Sequence, residues 1–484
     1  MMKIKEKPYI NPQTCAGCSV CVENCPMDCL KIEGPKYHGD IHTIACVETA
    51  KCIGCGICAK VCPIRAIEMR RGGEVECYME NKLSAVTVGC RGFQSVMKVG
   101  MYFLPWRVPK ILQGPGAVKK LPAAIKKKKF NHPLIVTDKM LVELHLLDGL
   151  IEAMEKVDLN YVIYDGVAPN PTDLNIEDGV LLYLKNHCDC MIAFGGGSPM
   201  DCAKGIGARI ARPKKSIHQL QGLLRVLKPI PTIFTVPTTA GTGSETTIAA
   251  VITESKTHHK ASINDICLMP RYAVLDPELT VGLPPQVTGT TGMDALCHAV
   301  ECYTNNTYNT KLEKDMCEKA VKLIYENLYK AYQDGSDLRA RQNMQRAAFY
   351  AGRAFTRGCV GYVHAIGHTL GGLYGVPHGV AMSILLPHVM RAYGAAAWEK
   401  LAALCDVCGI EAKEDTVRAK AEAFIRWIED LKVQMNIPLY PEMIREADVD
   451  QIVEWAVKEG NPLYPTPVVW SKKDFKEFIR SLKE

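Results

Sequence analysis

The sequence predicts a multidomain protein with a small α+β domain first, a doubly wound α/β domain second and an all-α domain last. Three changes along the 484 residues indicate this order. Ten of the 22 cysteines lie before residue 63. From about residue 108, short β-like runs alternate with helical stretches, which is typical of a parallel sheet covered by helices. From residue 287 onward, nearly every segment has the helical hydrophobic period. We therefore place domains at 1–75, 108–286 and 287–484, with residues 76–107 as an irregular linker.

Composition and charge exclude several classes of partner. The net charge of +6 comes from 58 basic and 52 acidic residues, and it is too small to indicate binding to nucleic acid or to an anionic membrane. The basic run at 126–129 is interpreted as a solvated face. No segment resembles a signal peptide or approaches 18 unbroken apolar residues, so we expect neither an export signal nor a transmembrane helix. Clustered cysteines without an export signal indicate metal ligands in a reducing compartment, and we expect a cytoplasmic protein.

The front cysteines form two copies of one spacing. Cys15 opens the first copy, CAGCSVCVENCP, and Cys52 opens the second, CIGCGICAKVCP. Both read C-x2-C-x2-C-x3-C-P, in which three thiolates bind one iron–sulfur cluster and the fourth binds the other. The spacing predicts the ligands of two [4Fe-4S] clusters: Cys15, Cys18, Cys21 and Cys62 for one, and Cys52, Cys55, Cys58 and Cys25 for the other.

A zinc site or unrelated thiols would explain a single C-x2-C pair, but they do not explain two matching twelve-residue runs. Cys29 and Cys46 have no place in this scheme and are interpreted as buried thiols. Residues 1–75 resemble bacterial-type ferredoxins with two [4Fe-4S] clusters, which implies a ferredoxin-like α+β domain.

Two loops of the middle domain predict a dinucleotide site in a Rossmann-like fold. The segment FGGGSPMD around Gly196 follows a predicted strand and opens a helix, so backbone N–H groups can approach a pyrophosphate there. It is not the G-x-G-x-x-G signature, and ordinary strand–helix turns also use glycine runs. The segment PTTAGTGSE around Thr239 offers hydroxyls for phosphate or ribose, although helix caps use the same residues.

Asp138 follows the predicted strand 133–137, at the position where a carboxylate often binds the ribose 2′-OH. A carboxylate there repels a 2′-phosphate, so the sequence favours NAD(H) over NADP(H). A simple turn aspartate is the alternative.

The last domain contains acidic and histidine residues at helical spacing. Asp294 and His298 are four residues apart and share one helix face, as do His364 and His368. His378 follows in the segment PHG. A lone histidine pair is more often structural, but these groups in one domain indicate a metal site. One carboxylate with neutral imidazoles suits Fe(II) or Zn(II), and the sequence does not choose between the two ions.

These segments together resemble the iron-containing (group III) alcohol dehydrogenase family over about residues 105–484. The resemblance rests on the two loops, on GMDALCHAVE and on HAIGHTLGGLYGVPHGVAMSILLPH. It implies His368 as a catalytic histidine near the substrate, and it implies four metal ligands: Asp294, His298, His364 and His378. It also implies these cofactor-binding residues: Asp138, Asn170, Gly196, Gly197, Ser198, Thr238, Thr239, Thr242 and Lys260. The N-terminal cysteine domain departs from the family pattern.

We therefore predict reversible hydride transfer between a small alcohol or aldehyde and NAD(H), with a catalytic metal and with His368 relaying the alcohol proton. A dehydroquinate synthase-like NAD- and metal-dependent lyase is the alternative, and a redox-partner-docking subunit with an inactive back half is a third possibility. A hydride carries two electrons and a [4Fe-4S] cluster carries one. The clusters are therefore expected to serve a one-electron redox protein, to sense redox state or to stabilise an assembly. We also expect a homo-oligomer.

Overall fold

The computed structural model describes residues 6–10, 15, 18–33, 44–47, 51–53, 55–71, 84–256 and 260–482. The chain divides into two compact units, Met1–Tyr78 and Met79–Glu484. No helix within the described residues is both long and apolar enough to cross a membrane.

The first unit is built around its cysteines. Its elements are, in chain order, β1 (Glu6–Ile10), α1 (Val20–Glu23), β2 (Leu30–Glu33), β3 (Ile44–Val47), α2 (Ile57–Val61) and β4 (Ile67–Arg71). β1 pairs antiparallel with β4, and β2 pairs antiparallel with β3. Among the described residues of this unit, one buried cluster consists of Cys21, Leu30, Ala45, Cys58 and Ile67. Two of its five members are cysteines of the two motifs, so we expect metal ligation by the cysteines to stabilise the unit.

The second unit opens with α3 (Ala85–Tyr102), an 18-residue helix in the segment that the sequence analysis interprets as an irregular linker. The hydroxyl of Ser84 caps it by accepting the N–H of Thr87. Three glycines and four valines lower the helix propensity of this segment, which hid the helix from pattern analysis. Arg91 and Gln94 on this helix donate hydrogen bonds to the rest of the unit, so its attachment does not depend on an apolar stripe alone.

Parallel strands form the centre of the α/β part. The strands here are β5 (Lys110–Gln113), β6 (Pro133–Val136), β7 (Val162–Tyr164), β8 (Cys190–Gly195), β9 (Gly222–Leu223), β10 (Thr232–Pro237), β11 (Ala249–Thr253), β12 (Lys260–Asn264) and β13 (Tyr272–Leu275). Within the described residues, a six-stranded sheet has the order β5-β13-β10-β8-β6-β7, and all its pairings are parallel. Strands β9, β11 and β12 form a separate small sheet.

Helices cover both faces of the six-stranded sheet. They are α4 (Leu121–Lys127), α5 (Lys139–Glu143), α6 (Asp148–Lys156), α7 (Asp173–Lys185), α8 (Gly197–Ala211) and α9 (Ile217–Leu220). Along β6, Leu134 and Val136 belong to the core that α7 and α8 complete, whereas Ile135 belongs to the core that α4 and α6 complete. Side chains of one strand thus alternate between two cores, which is the doubly wound arrangement that the sequence predicts.

Three features of this part do not follow from the sequence pattern. Strand β11 pairs antiparallel with β12 and lies outside the parallel sheet. The helical hydrophobic pattern over 142–156 is divided between α5 and α6, because His145 adopts a φ of 57° between the two helices. Strand β5 was not predicted, because it lies at the sheet edge and its side chains are mostly exposed, so it carries no hydrophobic pattern.

The remainder of the second unit is helical. Its helices are α10 (Pro285–Thr304), α11 (Lys311–Gln333), α12 (Leu338–Gly358), α13 (Tyr362–Tyr374), α14 (His378–Ala392), α15 (Ala395–Cys408), α16 (Val417–Gln434), α17 (Val449–Gly460) and α18 (Lys472–Ser481). α10 lies at the centre, and every residue from Gly292 to Thr304 is buried. Polar side chains on this stretch of α10 have no access to water and therefore need partners within the protein.

Candidate functional site

Four side chains from three helices converge beside α10. Asp294 and His298 are one turn apart on α10, His364 lies on α13, and His378 is the first residue of α14. Asp294 Oδ1 lies 3.2 Å from His378 Nε2, and the Nε2 atoms of His298 and His364 are 3.0 Å apart. One ligand atom from each of the four residues lies within 4.8 Å of all the others. The helix packing thus brings together the four ligands that the family resemblance implies.

The protonation states of this group suit a divalent cation. Burial lowers the pKa of His298 to about 3, and burial with the neighbouring His378 lowers the pKa of His364 well below its ordinary value. Burial alone would raise the pKa of Asp294, but the imidazoles of His298 and His378 hold it well below its ordinary value. One carboxylate and neutral imidazoles are the protonation states in which these groups bind Fe(II) or Zn(II).

Two atoms of this group lack the partners that burial demands. Asp294 Oδ1 and His298 Nδ1 are buried and accept or donate no hydrogen bond in the described residues. The two facing Nε2 atoms of His298 and His364 repel each other unless a proton or a cation lies between them. A bound cation would satisfy these atoms, so the residues present fit a metal site.

Glu301, which the sequence analysis did not select, orients one of these imidazoles. Its Oε2 lies 2.5 Å from Nδ1 of His364, and its Oε1 accepts the backbone N–H of Val363 at 2.7 Å. Burial raises the pKa of Glu301 to about 7. A proton on Nδ1 leaves Nε2 of His364 as the ligand atom, and a carboxylate commonly holds a metal-binding histidine in this way. The i+3 spacing of Glu301 from His298 was the available signal.

His368 lies next to the four-residue group, and its ring stacks on that of His378 with centroids 5.2 Å apart. Its Nδ1 is 2.7 Å from Oε1 of Glu459 on α17, and the same oxygen accepts the hydroxyl of Tyr464 at 2.9 Å. Burial alone would lower the pKa of His368, but the Glu459 carboxylate holds the pKa above its ordinary value. A Nδ1–H donated to Glu459 leaves Nε2 of His368 free to exchange a proton with a ligand.

Two loops lie side by side where β8 and β10 end, and we call residues 194–201 the glycine loop and residues 237–245 the threonine loop. The N–H of Thr238 donates to the carbonyl of Gly195 at 3.1 Å. A Cβ on Gly197 would lie 2.9 Å from Cγ2 of Thr242, so only glycine allows the two loops to approach this closely. Gly196 and Thr239 also face each other, because a Cβ on Gly196 would lie 3.4 Å from Oγ1 of Thr239.

The threonine loop also packs against α10, next to the four candidate metal ligands. A Cβ on Gly241 would lie 2.8 Å from the carbonyl oxygen of Thr291, one turn before Asp294. Both loops follow the carboxyl ends of parallel strands, where ligands of doubly wound sheets bind. This arrangement places the candidate cofactor loops beside the four candidate metal ligands.

Three of the residues that the resemblance implies form one polar cluster beside the glycine loop. Nζ of Lys260 donates to Oδ1 of Asn170 at 2.9 Å, and the N–H of Asn170 donates to Oγ of Ser198 at 3.2 Å. Asn170 has a φ of 60°, a left-handed conformation that asparagine tolerates better than most residues. Burial lowers the pKa of Lys260. The cluster suits an anionic ligand, because a desolvated ammonium gains most from a nearby negative charge.

Asp138 lies at the carboxyl end of β6, and its side chain serves as a helix cap. Its Oδ1 accepts the N–H of Leu141 in the first turn of α5 at 3.0 Å. Both the turn role and the ribose role considered in the sequence analysis are compatible with this geometry, since the second carboxylate oxygen remains available to a ligand.

The cysteines of the first unit surround two recesses, whose volumes are about 310 and 290 Å³ when the space at their open ends is included. One recess is lined by Cys25, Cys52, Cys55 and Cys58, and the other by Cys15, Cys18, Cys21 and Cys62. Each recess thus combines three cysteines of one motif with the fourth cysteine of the other.

Two further cysteines lie at or near these groups. Cys29 also lines the first recess, with its Sγ 3.3 Å from that of Cys25. It is buried, as the sequence analysis expects. The side chain of Cys46 lies outside the described residues.

Comparisons with known proteins agree with the two-part organisation. Residues 109–277 match the model of the iron-containing alcohol dehydrogenases, and residues 288–482 match the C-terminal model of the same family. Residues 14–66 match a 4Fe-4S dicluster domain.

Individual relatives match this chain over most of their own length. The chain is 38% identical to 1,3-propanediol dehydrogenase of Citrobacter freundii, over 76% of this chain and 95% of the relative. It is 36% identical to NAD-dependent methanol dehydrogenase of Bacillus methanolicus, over 74% and 93%. The structure of sulfoacetaldehyde reductase from Bifidobacterium kashiwanohense in complex with NAD+ superposes with a TM-score of 0.69 at 28% identity, covering 79% of this chain and 99% of that chain.

Proposed function

The chain belongs to the iron-containing alcohol dehydrogenase family, and we propose that it oxidises small alcohols and reduces aldehydes with NAD(H) and a single catalytic metal ion. The observation that carries the proposal is the convergence of one carboxylate and three imidazoles within 4.8 Å, beside the two loops at the end of the sheet. Relatives named for 1,3-propanediol and methanol support a small alcohol as the substrate class. Fe(II) is proposed as the metal, with Zn(II) as the alternative.

A bound divalent cation supplies Lewis acidity to an alcohol or carbonyl oxygen, and NAD(H) accepts or supplies the hydride. Asp294 contributes a carboxylate to the four candidate metal ligands, and the three histidines contribute imidazole nitrogens. Glu301 holds the proton of His364 on Nδ1, so Nε2 keeps its lone pair for the cation.

His368 is proposed as the residue that moves the alcohol proton. Its Nδ1–H donates to Glu459, which leaves Nε2 to accept a proton during alcohol oxidation and to return it during aldehyde reduction. Glu459 stabilises the imidazolium that forms, and the hydroxyl of Tyr464 keeps the Glu459 carboxylate in place.

For the cofactor, we propose that the glycine and threonine loops bind the pyrophosphate and that Lys260 and Asn170 lie on the same side of it. Backbone N–H groups at the start of α8 favour an anion through the partial positive charge of the helix N-terminus. Asp138 is proposed to accept a hydrogen bond from the ribose 2′-OH, which gives NADH preference over NADPH.

The first unit is proposed to be a ferredoxin-like domain with two [4Fe-4S] clusters, one in each cysteine recess. Two backbone donors support thiolate ligands there, since the N–H of Ala45 points at Sγ of Cys15 and that of Ala66 points at Sγ of Cys62. Hydrogen bonds of this kind tune cluster potentials. The hydride reaction is complete without a one-electron carrier, so we propose that the clusters serve a separate one-electron redox protein.

Anaerobic purification with metal analysis and a substrate panel tests these proposals together. We expect about eight cluster irons and one further metal ion per chain, and net NADH formation from simple alcohols. An iron content near one per chain, without reducible cluster absorbance, would exclude the two clusters but would leave the dehydrogenase proposal standing. A metal-loaded protein that neither oxidises alcohols nor reduces aldehydes with NAD(H) would exclude the dehydrogenase proposal.

A further inference from the structure

Helix α3 holds a distant segment of the second unit through a buried glutamine. Gln94 is fully buried, and its Nε2 donates to the carbonyls of Pro462 at 3.0 Å and Tyr464 at 2.9 Å. Its Oε1 accepts from Nη1 of Arg91 at 2.9 Å. Both N–H groups and the oxygen of this amide are thus engaged, which fixes its orientation.

Arg91 extends the same attachment. Its Nη2 donates to the carbonyls of Thr466 at 2.7 Å and Pro467 at 3.0 Å. Together with Gln94 it binds four carbonyls of the segment 462–467. Hydrogen bonds to a charged, half-buried guanidinium are among the stronger ones in proteins, so the segment is held firmly to α3.

The held segment leads directly to His368. Tyr464 is bound to α3 through its carbonyl oxygen, and its hydroxyl donates to Oε1 of Glu459 at 2.9 Å. The same carboxylate oxygen is 2.7 Å from Nδ1 of His368. The backbone of Tyr464 is thus bonded to α3, and its side chain is bonded through Glu459 to His368, so the covalent structure of Tyr464 connects the two sets of hydrogen bonds.

We propose that Arg91 and Gln94 are positioning residues for His368. Helix α3 then holds the segment that orients this histidine and is more than a linker. The proposal rests on the proton-transfer role proposed for His368. α3 lies outside both matched dehydrogenase regions, 109–277 and 288–482, and it is the first described helix after the cysteine motifs. The support for His368 is thus supplied by a part of the chain that the family models do not cover.

Kinetics of full-length variants test the proposal. Gln94→Ala and Arg91→Met should each lower kcat for aldehyde reduction about ten- to hundredfold, because small misplacements of a proton-transfer group have effects of that size. The KM for NADH should change by less than about twofold, since the cofactor contacts remain. Arg91→Lys should recover part of the loss. Val96→Ala is the matched control, because Val96 lies on the same helix with 73% of its surface exposed. Unchanged kcat in both variants would overturn the proposal.

A double-mutant cycle separates positioning from general destabilisation. Tyr464→Phe removes the hydroxyl that contacts Glu459 and should itself lower kcat. If α3 acts through Tyr464, adding Gln94→Ala to Tyr464→Phe should lower kcat by less than about twofold further. Full multiplication of the two losses would show that Gln94 does not act through Tyr464, and the proposal would fail.

Amide hydrogen exchange provides a readout that does not depend on turnover. Exchange in residues 459–470 should accelerate in Gln94→Ala and in Arg91→Met but not in Val96→Ala. Unchanged exchange would overturn the proposal even where kcat falls. A wild-type protein without NAD(H)-dependent turnover would instead contradict the proposed function, and the exchange data would still decide whether α3 holds the segment.

Discussion

Replacement of Glu301 by glutamine measures how strongly the metal site depends on a side chain that is not itself a proposed ligand. Glu301 contacts Nδ1 of His364 with one oxygen and the N–H of Val363 with the other. Glutamine has a single oxygen and an NH2 group. If its oxygen faces His364, two donors meet at Val363. If its NH2 group faces His364, the imidazole proton must move to Nε2, the proposed ligand atom.

Either orientation weakens metal binding, and the size of the effect follows from similar sites. Loss of a partner behind a ligating histidine typically lowers metal affinity about 10- to 100-fold, which corresponds to about 1.4–2.7 kcal/mol. We expect Glu301→Gln to lie toward the upper end of this range, because the carboxylate is fully buried and water cannot replace it.

The assay is a metal titration after chelation. The catalytic metal is removed anaerobically under conditions that preserve the cluster absorbance. The Zn(II) concentration that half-restores NADH-dependent turnover is then measured, with bound zinc counted by native mass spectrometry. Glu318→Gln is the control, because Glu318 also accepts a hydrogen bond in the helical part, from the hydroxyl of Tyr303 at 2.8 Å. A Glu301→Gln protein that binds zinc within twofold of wild type would refute the reasoning.

Four further predictions concern the metal ligands, the cofactor preference, a buried lysine and helix α3. His364→Ala and His378→Ala should each lose the catalytic metal and nearly all turnover but keep the cluster absorbance; retention of metal and wild-type turnover would contradict the ligand set. Asp138→Asn keeps the cap of α5 but removes the charge, so the NADH/NADPH ratio of kcat/KM should fall at least about tenfold, and an unchanged ratio would place Asp138 away from the ribose. Burial lowers the pKa of Lys432 from 10.5 to about 8, so this lysine costs stability as the pH falls from 10.5 toward 8. In Lys432→Met, the pH dependence of the free energy of unfolding over that range should be smaller by up to about 3 kcal/mol, and parallel pH profiles of the variant and the wild type would contradict this. A chain beginning at Met79 should keep NADH-dependent turnover and one beginning at Leu104 should lose most of it; equal turnover would show that α3 is dispensable.

Features that depend on short spacings were accessible from the sequence. The two C-x2-C-x2-C-x3-C-P motifs, the i, i+4 pairs on α10 and α13 and the two loops after strands each lie within about a dozen residues. Local geometry is set by such spacings, because a helix or a turn presents residues at fixed offsets on one side. The family resemblance follows from the same segments, and the family matches confirm it.

The partners that orient these residues became evident only in the tertiary structure. Glu301 and His364 are 63 positions apart, His368 and Glu459 are 91 apart, and Gln94 and Pro462 are 368 apart. Each is an ordinary residue in its own sequence context, and nothing in local periodicity indicates what it contacts. The packing of α10, α13, α17 and α3 decides these pairs, since burial forces each polar side chain to take whichever partner the neighbouring element presents.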